Sequence, residues 1–182
     1  RGPEAAFMGA ALGRGDGVTV GLDETVARGR VRSAKDVWVD MGPHPLSLLL
    51  SWHPGGFVNS DSMSINFTDR EVHLEFDFEI ADGTCQAEIA VRDCDGGPPK
   101  RRFGVDDFVV DCSGWTDDAG VYRSLLSDGM HESIEEDFMS LLIKDFHEVA
   151  SGVRDQPAVS GEVGLRNLEL QLQVIHSSES AS

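Results

Sequence analysis

The stretch EVHLEFDFEIADGTCQAEIAVRDC, residues 71–94, leaves the chain little choice of local structure. Val72, Leu74, Phe76, Phe78 and Ile80 alternate with His73, Glu75, Asp77 and Glu79. A repeat of two is the mark of a strand that buries one face. Asp82-Gly83 is a two-residue hairpin signal. A turn centred there sets Ile80 against Cys85, Phe78 against Ala87, Phe76 against Ile89 and Leu74 against Val91, so the apolar face continues across both strands. The same register places Asp77 opposite Glu88, with Glu75 and Glu79 beside them and His73 opposite Arg92. Like charges opposite each other destabilise a sheet, and a cationic partner removes that cost on binding. The face carrying Glu75, Asp77, Glu79 and Glu88 is therefore expected to dock Lys/Arg-rich proteins.

The charge balance runs the same way. Fifteen basic and 32 acidic side chains leave a formal charge of −17, and lysine is confined to Lys35, Lys100 and Lys144. Such a chain repels nucleic acid and anionic membranes and attracts basic proteins and cations. At 182 residues and 40% hydrophobic content, one folded domain with a proper core is expected. No apolar run approaches a membrane span and no signal peptide is visible. The first residue is Arg, as in a mature form that has lost a leader or a chain freed of a tag. Cys85, Cys94 and Cys112 are odd in number and form no CxxC, which favours a reducing compartment over a disulfide framework.

Residues 1–17 are rich in Gly and Ala and are read as a flexible segment, 18–176 as one α+β domain, and 177–182 as a tail. Val18, Val20 and Leu22, then Val37, Val39 and Met41, alternate as short strands. Leu46 to Trp52 is too short for a firm helix and too continuous for a half-exposed strand. Residues 62–67 suit a strand, and the sequon at Asn66 is discounted there. In 103–112 the alternation changes phase near Asp106–Asp107, as at a bulge. Met130, Ile134, Phe138, Leu141, Leu142 and Phe146 recur at helical spacing and predict one long helix over 128–150, stopped by Gly152. The region 162–176 fits strand and helix equally. The expected fold is α+β, a twisted antiparallel sheet with that single helix packed on it. Its inner face should hold Leu74, Phe76, Phe78, Ile80, Ile89, Val91, Phe108 and Val110.

Catalytic grammar is missing. There is no G-x-S-x-G elbow and no phosphate loop, for Gly13, Gly15 and Gly17 are not followed by Lys-Ser/Thr. His131 and Glu135 stand four apart on the predicted helix, but His147 is a poor angular match for a third metal ligand. The basic run Lys100, Arg101 and Arg102 is too short for a nucleic-acid site. No catalytic residue, metal or cofactor is assigned. The reading is a non-enzymatic, acidic protein-binding adaptor; the alternative is a hydrolase or metal-dependent enzyme with an unrecognised site.

The order of elements resembles the mitochondrial acidic matrix proteins, the family of the receptor for complement globular heads. GVTVGLDETVARGRVRSAKDVWVDM is similar to their opening hairpin, FDFEIADG…IAVRDC to their second, and FGVDDFVVDC, a loop with Tyr122 and a helix from near Leu126 follow in the same order. The resemblance covers about residues 17–150, but the long helices that open and close that family have no clear counterpart. It implies a ring-shaped homotrimer in the mitochondrial matrix, binding basic proteins such as RNA-binding proteins.

Overall fold

The computed structural model describes residues 19–26, 32–81, 83–93, 100–135 and 138–180. Among these residues nine strands form one mixed sheet: β1 (Thr19–Val26), β2 (Phe57–Val58), β3 (Ser64–Phe67), β4 (Glu71–Ile80), β5 (Gly83–Asp93), β6 (Lys100–Val105), β7 (Phe108–Thr116), β8 (Tyr122–Ser127) and β9 (Glu132–Glu135). Their order is β2-β4-β5-β1-β6-β7-β8-β9, with β3 also paired to β4. β1 runs parallel to β5, and every other pair is antiparallel. Among the described residues four α-helices complete the fold: α1 (Ala34–Met41), α2 (Pro43–Trp52), α3 (Phe138–Ala150) and α4 (Gly161–Ser180). An α+β architecture is thus present, with more helices than the one expected. The segment 1–17 lies outside the described residues.

α1, α2 and α4 cover one face of the sheet. Val72, Leu74, Phe76 and Phe78 of β4 and Cys85, Ala87, Ile89 and Val91 of β5 bury against Val37, Trp38, Leu46, Leu49, Leu50, Val174 and Ile175. Every residue expected on the inner face is in that core or, for Ile80 and Phe108, packed against it. The register of the hairpin differs. Ile80 pairs with Gly83, so Phe78 meets Cys85, Phe76 meets Ala87, and Glu75 rather than Asp77 meets Glu88. A slip of two residues leaves every side chain on its expected face, so the apolar pattern could not discriminate between the two pairings.

Three local readings are corrected. Val37, Val39 and Met41 do not form a strand, because Ser33 and Asp36 build a capping box and α1 buries Ala34, Val37, Trp38 and Met41 at helical spacing. The phase change at Asp106–Asp107 is a hairpin turn joining β6 to β7, with Val105 paired to Phe108. Asp106 sits there at φ 52°, a conformation that aspartate tolerates. The long helix over 128–150 is broken. The Asp128 carboxylate accepts from the Met130 and His131 N–H groups (2.8 and 2.6 Å), Gly129 turns at φ 84°, and β9 follows. Only α3 remains helical, and Leu141, Leu142, Ile143 and Phe146 are exposed on it instead of packing on the sheet.

Helix α4 takes the packing role, which settles the ambiguous 162–176. Trp38 Nε1 donates to the Gln171 carbonyl (3.2 Å), and buried Asn167 donates to the Pro43 carbonyl (2.9 Å) and Ser47 Oγ (2.8 Å). The Arg166 guanidinium holds the carbonyls of Pro54 and Gly56, so α4 clamps both ends of α2. No described helix is long and apolar enough to cross a membrane.

Candidate functional site

The parallel strands β1 and β5 finish side by side, Val26 next to Asp93. Asp93 is buried, and its side chain has no exposed surface. A lone carboxylate in such a place would be very unfavourable, so charge must be brought to it. Arg32 Nε donates to Asp93 Oδ2 (3.4 Å) and Arg70 Nη2 lies 3.7 Å from the same oxygen. Arg32 is itself only 5% exposed and reaches across to α1, where Nη1 donates to Asp40 Oδ2 at 2.6 Å. Burial pulls the Arg32 pKa down, but the hydrogen bonds to Asp40 and Asp93 and their negative charges outweigh it and hold the guanidinium above its ordinary value. Cross-strand, Arg92 Nη2 pairs with Glu71 at 3.3 Å beside this cluster.

Asp40 lies in the last turn of α1, and its side chain keeps 44% of its exposure. Gly42 joins α1 to α2 with helical angles (φ −54°, ψ −34°), and Pro43 opens α2, where its missing N–H is no loss. The backbone is therefore helical from Asp40 through His44. Residues four apart on helical backbone lie about one turn from each other, although the ladder is interrupted here between the Gly42 N–H, which donates to the Trp38 carbonyl, and the Leu46 N–H, which donates to the Gly42 carbonyl. His44 is exposed, as Asp40 is, so the pair is open to a ligand. A carboxylate hydrogen-bonded to a buried guanidinium, one turn from an imidazole, is an arrangement that can accept a proton from a substrate hydroxyl and return it.

Other nucleophiles and ligands are less suited. Burial, and the charge of Glu79, push the Cys85 thiol up, away from the reactive thiolate. Burial pulls His53 below the usual imidazole range; it caps the end of α2 with its ring 6.4 Å from that of Phe78. Among the described residues no group of three or more His, Cys, Asp or Glu is placed to hold a metal ion. His131 is not on a helix but in the turn before β9, 3.2 Å from Asp128.

The four acids expected to dock basic proteins do share the sheet face opposite the helices. Glu75 and Glu88 are exposed, Asp77 and Glu79 half-buried. Their crowding is relieved locally: His73 Nε2 is 2.8 Å from Glu88, Thr84 Oγ1 donates to Glu79 (2.6 Å), and Gln86 stands opposite Asp77. The basic run Lys100–Arg102 is part of β6, paired in register with Asp23, Glu24 and Thr25 of β1.

Asp40, His44 and Arg32 went unnoticed in the sequence because residues 37–41 read as a strand. Four residues of strand span about 13 Å, whereas four of helix span about 6 Å, so only a helix makes Asp40 and His44 neighbours. The signal that could have found them is the capping box at Ser33 followed by Asp-x-x-x-His through Gly-Pro.

A mixed α+β sheet covered on one face by helices is an architecture that this chain shares with parts of dehydrogenase structures. The dehydrogenase MviM from Clostridium difficile matches over 96% of this chain and 58% of its own, with a TM-score of 0.56 and 11% identity. The UDP-N-acetylglucosamine 3-dehydrogenase GnnA from Acidithiobacillus ferrooxidans matches over 93% of this chain and 56% of its own, with a TM-score of 0.60 and 16% identity. The chain thus spans less than two thirds of the length of these structures. At such identity the likeness establishes the fold. No protein-family profile matches the sequence, and no curated protein does.

These matches overturn the resemblance to the mitochondrial acidic matrix proteins, since the fold is that of dehydrogenase structures. Among the described residues, the second half of the segment read as an opening hairpin is the helix α1, and β1 pairs with β5 and β6 instead. The homotrimer and the matrix location rested on that resemblance and lose their support with it. The non-enzymatic acidic adaptor is corrected on the same ground.

Proposed function

We propose that this chain is the substrate-side α+β unit of an oxidoreductase, with Asp40 and His44 handling the proton at a substrate hydroxyl or carbonyl. The observation that carries the reading is that Asp40 and His44, both exposed, flank the junction of α1 and α2 four residues apart, and that Asp40 is held by a buried arginine whose other partner is Asp93, where β1 and β5 end. The dehydrogenase fold likeness supplies the reaction class, and the nucleotide-sugar substrate of GnnA suggests a sugar-type alcohol for this chain too.

Oxidising an alcohol to a carbonyl removes the hydroxyl proton and, as hydride, the carbon-bound hydrogen with its electron pair; the hydride passes to an external acceptor, and the proton is what this chain handles. In this reading His44 takes the hydroxyl proton, and Asp40, fixed by Arg32, stabilises the imidazolium that results. The described residues lack the architecture that binds a nicotinamide dinucleotide, so in this reading the hydride acceptor is held outside them. They form no doubly wound parallel sheet, and the sequence carries no G-x-G-x-x-G after a strand. No step is assigned here to such a cofactor.

The test is NMR titration of the protein with UDP-N-acetylglucosamine and a panel of other nucleotide sugars, alongside product analysis by mass spectrometry with nicotinamide dinucleotide supplied. Ligand-induced shifts should centre on Asp40 and His44, and His44→Gln should slow turnover about 10²- to 10⁴-fold, the usual worth of a general base. Binding that leaves both residues unperturbed, or full turnover in a folded His44→Gln variant, would overturn the reading.

A further inference from the structure

Arg32 differs from the other basic side chains of the site in being almost wholly enclosed while touching an exposed acid. It is bound at two points on two elements: Nε to Asp93 at the end of β5, and Nη1 to Asp40 on α1. The Asp40 contact, at 2.6 Å, is the shorter. The charged groups set against this assembly include Asp93 on β5, Arg70 just before β4, and Asp40 itself. Asp93 is in turn tied to the sheet, its N–H donating to the Arg70 carbonyl at 3.0 Å. The path from sheet to helix is thus Asp93 to Arg32 to Asp40, an anchored chain of alternating charge that ends at the exposed carboxylate.

We propose that Arg32 is a positioning residue that fixes the orientation and negative charge of Asp40, through an anchor on Asp93, rather than a packing element of the core. This role rests on the reading of Asp40 and His44 as the proton-handling pair. Two features separate it from plain stabilisation. A buried ion pair seldom adds net stability over apolar residues of like volume, so stability alone is a weak reason for Arg32–Asp93. And a guanidinium whose fork is held on one arm orders the partner of the other, which a freely moving lysine cannot do.

The experiment follows the Asp40 side-chain carboxyl carbon by NMR as pH is lowered, in the full chain. Arg32→Met alone would strand the buried Asp93 charge, so it is paired with Asp93→Asn, and Arg32→Lys is measured beside it. In the paired variant the Asp40 midpoint should move up by roughly half to one pH unit, the smaller end of the effect of a lost neighbouring cation because Asp40 is partly solvated. Arg32→Lys should give a smaller upward shift, since the charge remains and the fork does not. An Asp40 midpoint unchanged in either folded variant overturns the proposal. Its failure is separable from failure of the functional reading. Full turnover in His44→Gln and Asp40→Asn removes the proton-handling role, while the shift of the Asp40 midpoint reports on Arg32 regardless of turnover.

Discussion

Replacing Gly42 by Ala sets two effects of opposite sign against each other at the junction that carries the site. Gly42 has ordinary right-handed helical angles, φ −54° and ψ −34°, so alanine meets no backbone strain there. By restricting the unfolded chain, the added methyl should stabilise by about 0.4–1 kcal/mol. Space decides otherwise. A Cβ at residue 42 would lie 2.7 Å from the Trp38 carbonyl oxygen and 2.8 and 2.9 Å from two atoms of the Trp38 ring. Trp38 cannot retreat, being fully buried with its Nε1 bonded to the Gln171 carbonyl on α4. Forcing a methyl into a packed core costs about 1–3 kcal/mol. The net expectation is a loss of about 1–2 kcal/mol, or a fall of about 3–6 °C in Tm for a domain of this size. Urea denaturation followed by circular dichroism measures it directly, with an unchanged slope confirming that the comparison is like with like. The part of the cost that comes from the ring should shrink in a Trp38→Phe background, while the contact with the residue 38 carbonyl remains, giving a coupling energy above about 0.5 kcal/mol. A Gly42→Ala protein as stable as the native one, or more so, refutes the steric argument and the tight α1–α2 junction with it.

The hairpin register has its own signature: Glu75 faces Glu88, so Glu75→Gln should stabilise the protein by about 0.2–1 kcal/mol, whereas Asp77→Asn, facing Gln86, should not. The reverse pattern in denaturant melts, with Asp77→Asn stabilising and Glu75→Gln not, would return the register to the one expected from Asp82-Gly83. Acid should weaken the fold through exposed carboxylates that are bound in it. The hydrogen bond and charge of Lys35 hold Glu179 below its usual range, and the Val121 N–H, then Arg123, hold Asp117 there too. A depressed folded pKa gives stability that is present above the unfolded value and lost as pH falls through the folded one. Denaturation midpoints should therefore drop on the acid side, and Lys35→Gln should make that drop shallower. An acid slope that Lys35→Gln does not alter would show that the α1–α4 ion pair carries no pH dependence.

The period-two run in 71–93 was sufficient by itself to place β4 and β5 and to say which side chains go inward, because alternation is a property of the backbone that needs no partner. It could not choose between pairings two residues apart, since both bury the same atoms; contacts from α1 onto β4 and β5 accompany the one observed. Short apolar segments were undetermined for a related reason. Val37, Val39 and Met41 alternate, yet Ala34, Val37, Trp38 and Met41 also fit a helix, and the decision lies with the burial of Trp38 under α4. The stripe over 130–146 promised a core helix, but its apolar side chains found no sheet to cover once the Asp128 turn sent the chain into β9. The candidate site was almost wholly a tertiary product. Arg32 and Asp93 are 61 residues apart in the chain and meet only because β1 and β5 lie parallel, a pairing between distant segments that no local pattern encodes. Asp40 and His44 stand in plain view in the sequence, but their proximity exists only when the chain between them is helical.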